Sequence, residues 1–157
     1  MRIAGILESS LVNGEGVRFV VFFQGCKHNC VGCQNPNTHD PKGGIEKTPL
    51  SLYLDLRCAH SYKFLDGITL SGGEPFLQQE EIVTFLKMFD NLNIWCYTGF
   101  KFEEIKDTEL ASLCDVIVDG KFEQDKLIDG KYKGSLNQRI IDVKKSLSTG
   151  SVVLYES

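Results

Sequence analysis

The chain has 157 residues, of which 42% are hydrophobic and 24% charged, a composition typical of one globular domain spanning residues 1–157. The formal net charge is −4 and no basic run occurs, which argues against a surface for nucleic acid or for an anionic membrane. No apolar run reaches membrane-spanning length and the first residues lack signal-peptide features, so the cytoplasm is the expected location.

The predicted elements alternate between strands and helices along the chain. Strands are expected at 2–7, 17–24, 66–71, 92–97, 115–118, 138–142 and 151–155. Helices are expected at 49–59, at 77–89 and, as one or two short segments, at 101–113. Residues 34–48 and 123–137 are polar and are predicted to be loops.

This alternation predicts βαβ units and therefore an α/β fold with a parallel sheet. A complete eight-unit barrel needs about 250 residues, so the chain is long enough for only a partial, incomplete parallel β/α barrel. Ligands bind at the carboxyl ends of the strands in such folds. Four unusual segments follow predicted strands, and we expect them to meet at one site: residues 26–33, 71–75, 98–99 and 119–121.

The strongest motif is a cysteine loop that directly follows the apolar strand 17–24. Cys26, Cys30 and Cys33 have the spacing C-x3-C-x2-C. Iron–sulfur cubanes normally take four cysteine ligands, so three local ones imply a distant fourth or an iron left open for another group. A structural zinc site, with His28 or a distant residue as the fourth ligand, is the alternative.

The remaining cysteines and histidines carry weaker signals. Cys58, Cys96 and Cys114 lie singly in apolar or helical contexts and are interpreted as small core residues, with a redox role for one of them left open. His28 lies between two cysteines, and we expect it to face solvent rather than to ligate a metal.

A glycine turn after the strand 66–71 is the second motif. Gly72 and Gly73 let a ligand approach the backbone closely, and the Glu74 carboxylate can accept hydrogen bonds from a bound ammonium group. An ordinary strand-to-helix turn is the alternative. Thr98 either contacts a ribose or ends a strand, and Asp119 and Lys121 either bind polar ligand groups or form a solvated turn.

Together these motifs resemble the radical S-adenosylmethionine (SAM) superfamily, through the three cysteines followed by Gly72-Gly73-Glu74. A narrower resemblance is to the family of activating proteins of anaerobic (class III) ribonucleoside-triphosphate reductases. It rests on the short length and on residues 13–16, 25–26, 32–35, 97–99, 118–122 and 134–138. The superfamily often has an aromatic residue before the third cysteine, where this chain has Gly32, as the small activating proteins do.

The resemblance implies a partial barrel of the radical SAM type, with a [4Fe–4S] cluster on Cys26, Cys30 and Cys33. The open iron would bind the amino and carboxylate groups of SAM. The residues implied to contact SAM are Gly32, Cys33, Gln34, Gly72, Gly73, Glu74 and Thr98. Of these, Gly72 to Glu74 would hold the methionine end, and Gly32 and Gln34 would lie beside the adenosine.

The implied activity is reductive cleavage of SAM, which would generate a glycyl radical on the anaerobic reductase. The implied electron donor is a small reduced flavoprotein such as flavodoxin. Three rival functions remain: another radical SAM enzyme acting on a different glycyl-radical protein or a small molecule, an iron–sulfur electron-transfer protein, and a zinc-binding interaction module.

Overall fold

The computed structural model describes residues 1–33 and 35–156, and these residues form a mixed α/β fold around one sheet. Its strand order is β3-β1-β2-β4-β5-β6-β7. The strands are β1 (Arg2–Ser10), β2 (Arg18–Phe23), β3 (Ile45–Glu46), β4 (Gly67–Gly72), β5 (Asn93–Tyr97), β6 (Val116–Asp119) and β7 (Arg139–Asp142). The α/β class predicted from the sequence is therefore confirmed.

Short helices connect these strands. The α-helices are α1 (Pro49–Cys58), α2 (Gln79–Leu86), α3 (Phe102–Ile105), α4 (Glu109–Leu113) and α5 (Val143–Thr149), and 3-10 turns occupy Pro36–Thr38, Tyr62–Phe64, Pro75–Gln78 and Gln124–Lys126. The predicted start of α1 is confirmed, because the Thr48 side chain accepts a hydrogen bond from Ser51 N and Pro49 opens the first turn. No helix in the described part of the chain has the length and apolar character that crossing a bilayer requires.

The sheet is only partly parallel. The strand pairs β2–β4, β4–β5 and β5–β6 are parallel, whereas β1–β2, β1–β3 and β6–β7 are antiparallel. The sheet is not closed, since the outer strands β3 and β7 each have one neighbour. The predicted partial parallel β/α barrel of the radical SAM type is thus not confirmed, and the parallel strands form the centre of an open, mixed sheet.

Successive side chains of the central strands point to opposite faces of the sheet, and each face has its own apolar cluster. Phe19, Val21 and Phe23 of β2 belong to the main core, together with apolar side chains of α1 and α2. The opposite face has a smaller cluster around Trp95, packed edge-on against Tyr132 and Tyr155. Both faces of the central strands are therefore covered, as the continuous apolar run of β2 predicts.

A buried arginine lies beside Trp95 on this second face, at the amino ends of the strands. Arg18 is 1% exposed, and its guanidinium donates to Thr69 Oγ1 and to the carbonyl oxygens of Glu15, Ile68 and Asn93. Burial lowers the pKa of Arg18 to about 10. These bonds compensate for the cost of burying the charge and tie β2 to β4 and β5.

The carboxyl-terminal region differs from the sequence prediction. The predicted strand 151–155 is wrong, since this stretch forms only an isolated bridge between Ile141 and Leu154. The helix α5 was not predicted, although Asp142 caps its first turn and Gly150 ends it at φ +78°. The segment after Gly150 runs back along β7, to which it is joined by isolated backbone hydrogen bonds such as that from Tyr155 N to Ile140 O.

Candidate functional site

A cavity of about 420 Å³ lies at the carboxyl ends of the parallel strands. Most of its wall comes from the loops that follow β2, β4, β5 and β6. The described lining residues from these loops include Cys26, His28, Cys30, Cys33, Gly72, Gly73, Thr98, Gly99 and Gly120. The predicted convergence of four separate segments on one site is confirmed.

The cysteine loop is held at its start by the backbone of a later segment. Gly25 N donates to Thr38 O over 2.6 Å and Cys26 N donates to His39 O over 3.2 Å. Gly25 has φ +109°, a conformation that favours glycine. All three cysteines of the loop are half-buried free thiols on the cavity wall.

The local electrostatics of the thiols depend on burial and on nearby N–H groups. Burial raises the pKa of the Cys26 thiol, backbone N–H groups of His28 and Asn29 oppose that rise, and the Glu74 charge adds to it. Asn35 N donates to Cys33 Sγ over 3.4 Å. A bound cation would counter the effect of burial and favour the thiolate form of Cys26.

The donor set of the cavity fits an iron–sulfur cluster. The described residues of its wall contribute three thiols, the imidazoles of His28 and His39 and no carboxylate, and iron–sulfur clusters are held mainly by thiolates. Within residues 1–33 and 35–156, no three His, Cys, Asp or Glu side chains are already gathered at metal-ligand distances. Closing the cysteine loop around a cluster therefore requires the ligands to move together, as metal binding commonly does.

The glycine turn is pressed against the cysteine loop. Glu74 N donates to Gly25 O over 2.8 Å. A methyl group on Gly73 would collide with Gly25 O, and Gly72 has φ +90°. Gly73 is thus required by the close approach of the two loops, and Gly72 by its positive φ beside the backbone of Phe23 in β2, in addition to any contact with a ligand.

Glu74 lies behind this wall and is 1% exposed. Its carboxylate accepts hydrogen bonds from Thr98 Oγ1 over 2.8 and 2.9 Å, from Gly99 N over 2.8 Å and from Phe76 N over 3.0 Å. In the described part of the chain, no lysine or arginine pairs with it. Its negative charge is therefore held by neutral donors and by one histidine.

That histidine is His28, and the prediction that it faces solvent is wrong. Its Nε2 lies 2.6 Å from Glu74 Oε1, and its side chain is 9% exposed. The ring also packs edge-on against Phe100, at 4.6 Å between centroids. The position between two cysteines gave no sign of this inward orientation, because Glu74 lies far away in sequence.

The other predicted site residues differ in their placement. Thr98 lines the cavity, but its hydroxyl is bonded to Glu74. Gly32, at φ +71°, packs against Gln124 rather than on the described cavity wall. The prediction for Gln34 falls outside the described residues.

Asp119 and Lys121, which the sequence left open, have different environments. Asp119 is 1% exposed and accepts from Arg139 Nη2 over 2.6 Å and from Phe102 N over 2.7 Å. Lys121 is exposed, and its carbonyl oxygen accepts from Asn137 Nδ2. The end of β6 is therefore a structural clamp followed by a solvated turn.

The three isolated cysteines also differ in their exposure to solvent. Cys96 and Cys114 are buried, as predicted for small core residues, and burial raises the pKa of Cys96 well above its ordinary value. Cys58 is exposed at the end of α1, so the prediction of a core position is wrong there. The apolar pattern of α1 places Leu52 and Leu56 inward and leaves Cys58 outside.

The sequence also missed part of the cavity wall. Asn13, Tyr97, Phe122 and the segment 130–134 line it, with Tyr132 in this segment at φ +69°. Burial raises the pKa of Tyr97, so its phenol stays neutral. Gly130 and Gly134 mark the ends of the segment, but polar composition alone predicts only a loop.

Comparisons with known proteins cover this whole site. A family model described as a 4Fe–4S single cluster domain matches residues 12–141. The anaerobic ribonucleoside-triphosphate reductase-activating protein of Enterobacteria phage T4 is 39% identical over 141 residues, which are 86% of this chain and 90% of that protein. The proteins of the same name from Pasteurella multocida (strain Pm70) and Escherichia coli (strain K12) are 33% and 34% identical, over 84% and 82% of this chain and 91% and 90% of theirs.

Proposed function

The chain belongs to the family of anaerobic ribonucleoside-triphosphate reductase-activating proteins, and we propose that it activates such a reductase by radical SAM chemistry. The observation that carries the proposal is the meeting of the three cysteines with the glycine turn at one cavity. A cluster with three protein ligands has an iron free to bind SAM, and the glycine turn gives SAM a backbone surface beside it.

Cys26, Cys30 and Cys33 would hold the [4Fe–4S] cluster. Their support is the family model and the three thiols that the described wall contributes. The N–H group of Asn35 that points at Cys33 Sγ would stabilise the thiolate form. Burial raises the pKa of the Cys26 thiol, and a bound iron would counter that rise by favouring the thiolate.

SAM would bind along the glycine turn. Gly72, Gly73 and Thr98 line the cavity, and the Glu74 carboxylate lies directly behind them. Since no lysine or arginine among the described residues neutralises Glu74, its charge favours a cation in the cavity, such as the ammonium group of SAM. Cys33, with Gly32 and Gln34, would lie on the adenosine side.

Held by Cys26, Cys30 and Cys33, a reduced cluster would supply the electron for cleavage of the sulfonium carbon–sulfur bond of SAM, which would yield methionine and a 5′-deoxyadenosyl radical able to take a hydrogen atom from a glycine of the reductase. Phe22, Tyr97 and Phe122 line the cavity and would keep water from it. The sheet is open rather than closed, which leaves room for a loop of a macromolecular substrate to enter.

The electron donor and the location complete the proposal. A small reduced flavoprotein such as flavodoxin would supply the single electron for each turnover. Because the proposed partner acts on nucleotides, we place the reaction in the cytoplasm, with no role for nucleic acid or a membrane.

The test is anaerobic. The protein is reconstituted with iron and sulfide, mixed with SAM and dithionite, and assayed for 5′-deoxyadenosine beside a Cys30→Ala variant. We expect product from the wild type and none from the variant, and a glycyl-radical signal in electron paramagnetic resonance (EPR) once the reductase is added. An intact reduced cluster that leaves SAM uncleaved even with the reductase present would instead favour an electron-transfer protein.

A further inference from the structure

His28 is the point at which the middle of the cysteine loop is attached to the rest of the protein. Its Nε2 lies 2.6 Å from Glu74 Oε1, with 9% of the histidine side chain and 1% of the glutamate side chain exposed. Among residues 27–32, no other described side chain makes a hydrogen bond to another part of the chain. Asn29, next to it, has φ +54°, in the left-handed region that few residues other than glycine adopt.

The imidazole has little freedom to turn away from Glu74. One side of the ring contacts Phe100 edge-on, at an interplanar angle of 78°. A methyl group on Gly99 would collide with the ring, so only glycine admits it there. The N–H group of Gly99 and the hydroxyl of Thr98 donate to the same Glu74 oxygen as His28 does, which places three donors on one atom.

Glu74 keeps other donors if His28 is removed. Thr98, Gly99 and Phe76 still bind its carboxylate, so the glycine turn itself does not depend on the histidine. The backbone bond from Glu74 N to Gly25 O also remains and holds the start of the cysteine loop. What His28 adds is a fixed relation between the centre of the cysteine loop and the turn that carries Glu74.

We propose that His28 is a positioning residue that acts through Glu74 and aligns the SAM-binding turn with the cysteine loop. The proposal rests on the function proposed above, and it assigns a role to a residue that is neither one of the three cysteines nor part of the glycine turn. With His28 in place, the Glu74 charge lies at a fixed position relative to Cys26 and Cys30. Without the hydrogen bond, the hydrogen bond from Glu74 N to Gly25 O is the one that still joins the two loops among the described residues, and the methionine end of SAM is held less tightly.

The experiment compares His28→Gln with His28→Phe in the cluster-loaded protein. The amide nitrogen of glutamine can reach Glu74 as Nε2 does, whereas phenylalanine keeps a ring against Phe100 without a donor. Iron content is measured first, and the reduced cluster is then titrated with SAM while its EPR spectrum is followed. This readout gives the SAM affinity without turnover.

We expect wild-type iron content in both variants. SAM affinity should fall by about tenfold in His28→Phe, as for loss of a hydrogen bond to a charged group, and stay within about threefold of wild type in His28→Gln. Lys27→Gln, at the exposed neighbouring position, is the matched control and should bind SAM as the wild type does. In a Glu74→Gln background, His28→Phe should add little further loss, because the histidine acts through that carboxylate.

Other outcomes overturn the proposal. Wild-type SAM affinity in His28→Phe, or an equal loss in both variants, would mean that the hydrogen bond is not what matters. Loss of the cluster in His28→Phe would make the residue a support of the cysteine loop alone. A wild-type cluster that does not respond to SAM would overturn the proposed function and this inference with it, which separates that failure from the others.

Discussion

Glu74 and Asp119 are both buried carboxylates at the carboxyl ends of parallel strands, yet their surroundings differ. Each is 1% exposed and each accepts a backbone N–H bond from the segment that follows a strand. Asp119 is paired with Arg139, whose Nε and Nη2 bind it over 3.1 and 2.6 Å. Glu74 is bound by a hydroxyl, by backbone N–H groups and by His28.

The difference separates a structural carboxylate from one that can act on a ligand. The Asp119 and Glu103 carboxylates raise the pKa of Arg139, so the arginine is a permanent cation and the Asp119 charge is neutralised inside the protein. Glu74 has no such cation among the described residues, and it lies directly behind the cavity wall. Sequence position alone does not distinguish the two, since both follow a buried strand.

The largest stability effect is expected for Asp119→Ala. This change leaves the N–H group of Phe102 without its acceptor and leaves Arg139, whose side chain is 34% exposed, with Glu103 as its remaining carboxylate. Losing these hydrogen bonds to a charged group should lower the free energy of unfolding by about 3 kcal/mol. Urea denaturation followed by circular dichroism measures it. A loss below about 1 kcal/mol would be that of a surface ion pair and would contradict the assignment of a clamp.

Glu74→Gln should have a smaller effect on stability and a clear effect on the ligand. The amide nitrogen of glutamine is a donor and cannot accept the hydrogen bonds that one carboxylate oxygen of Glu74 accepts. The free energy of unfolding should therefore fall by about 2 kcal/mol. Removing the charge behind the wall should weaken SAM binding by about tenfold, measured by equilibrium dialysis of the cluster-loaded protein. Asp119→Asn is the matched control, and an equal loss of SAM binding there would remove the distinction between the two carboxylates.

The features predicted correctly are those that local sequence specifies. Cys26, Cys30 and Cys33 identify the loop by spacing, and Gly72 and Gly73 identify the turn by composition. Alternation of strands and helices then places both at the same edge of the sheet, and the cavity confirms that they meet there. Because the carboxyl ends of parallel strands lie at one edge of the sheet, the two local motifs were predicted to form a single site.

The features that the sequence did not predict depend on partners distant in the chain. His28 turns inward because Glu74 is there to accept from it, and Asp119 becomes a clamp because Arg139 reaches back from β7. The antiparallel edges of the sheet likewise follow from pairings that alternation does not encode. Helix α5 was missed for a different reason, since its seven residues are too few to show a clear apolar period.

Thr98→Val tests the hydroxyl that holds Glu74 from the cavity side. Valine has nearly the same shape but no donor, so the free energy of unfolding should fall by about 1 kcal/mol and SAM binding should weaken less than in Glu74→Gln. Thr98→Ser, which keeps the hydroxyl, should stay close to wild type. Identical stability of the valine and serine variants would show that Thr98 contributes shape and not the hydrogen bond.

Lys121→Ala should have the smallest effect. The side chain is exposed and makes no hydrogen bond or ion pair in the described part of the chain, and the carbonyl oxygen that binds Asn137 is kept in the variant. Unfolding free energy should change by less than about 0.5 kcal/mol, and the rate of 5′-deoxyadenosine formation should equal that of the wild type. A severalfold loss of activity at unchanged stability would mean that the turn after Asp119 contributes a cation to the reaction. The end of β6 would then be part of the active site, and the contrast between its carboxylate and Glu74 would describe two halves of one site.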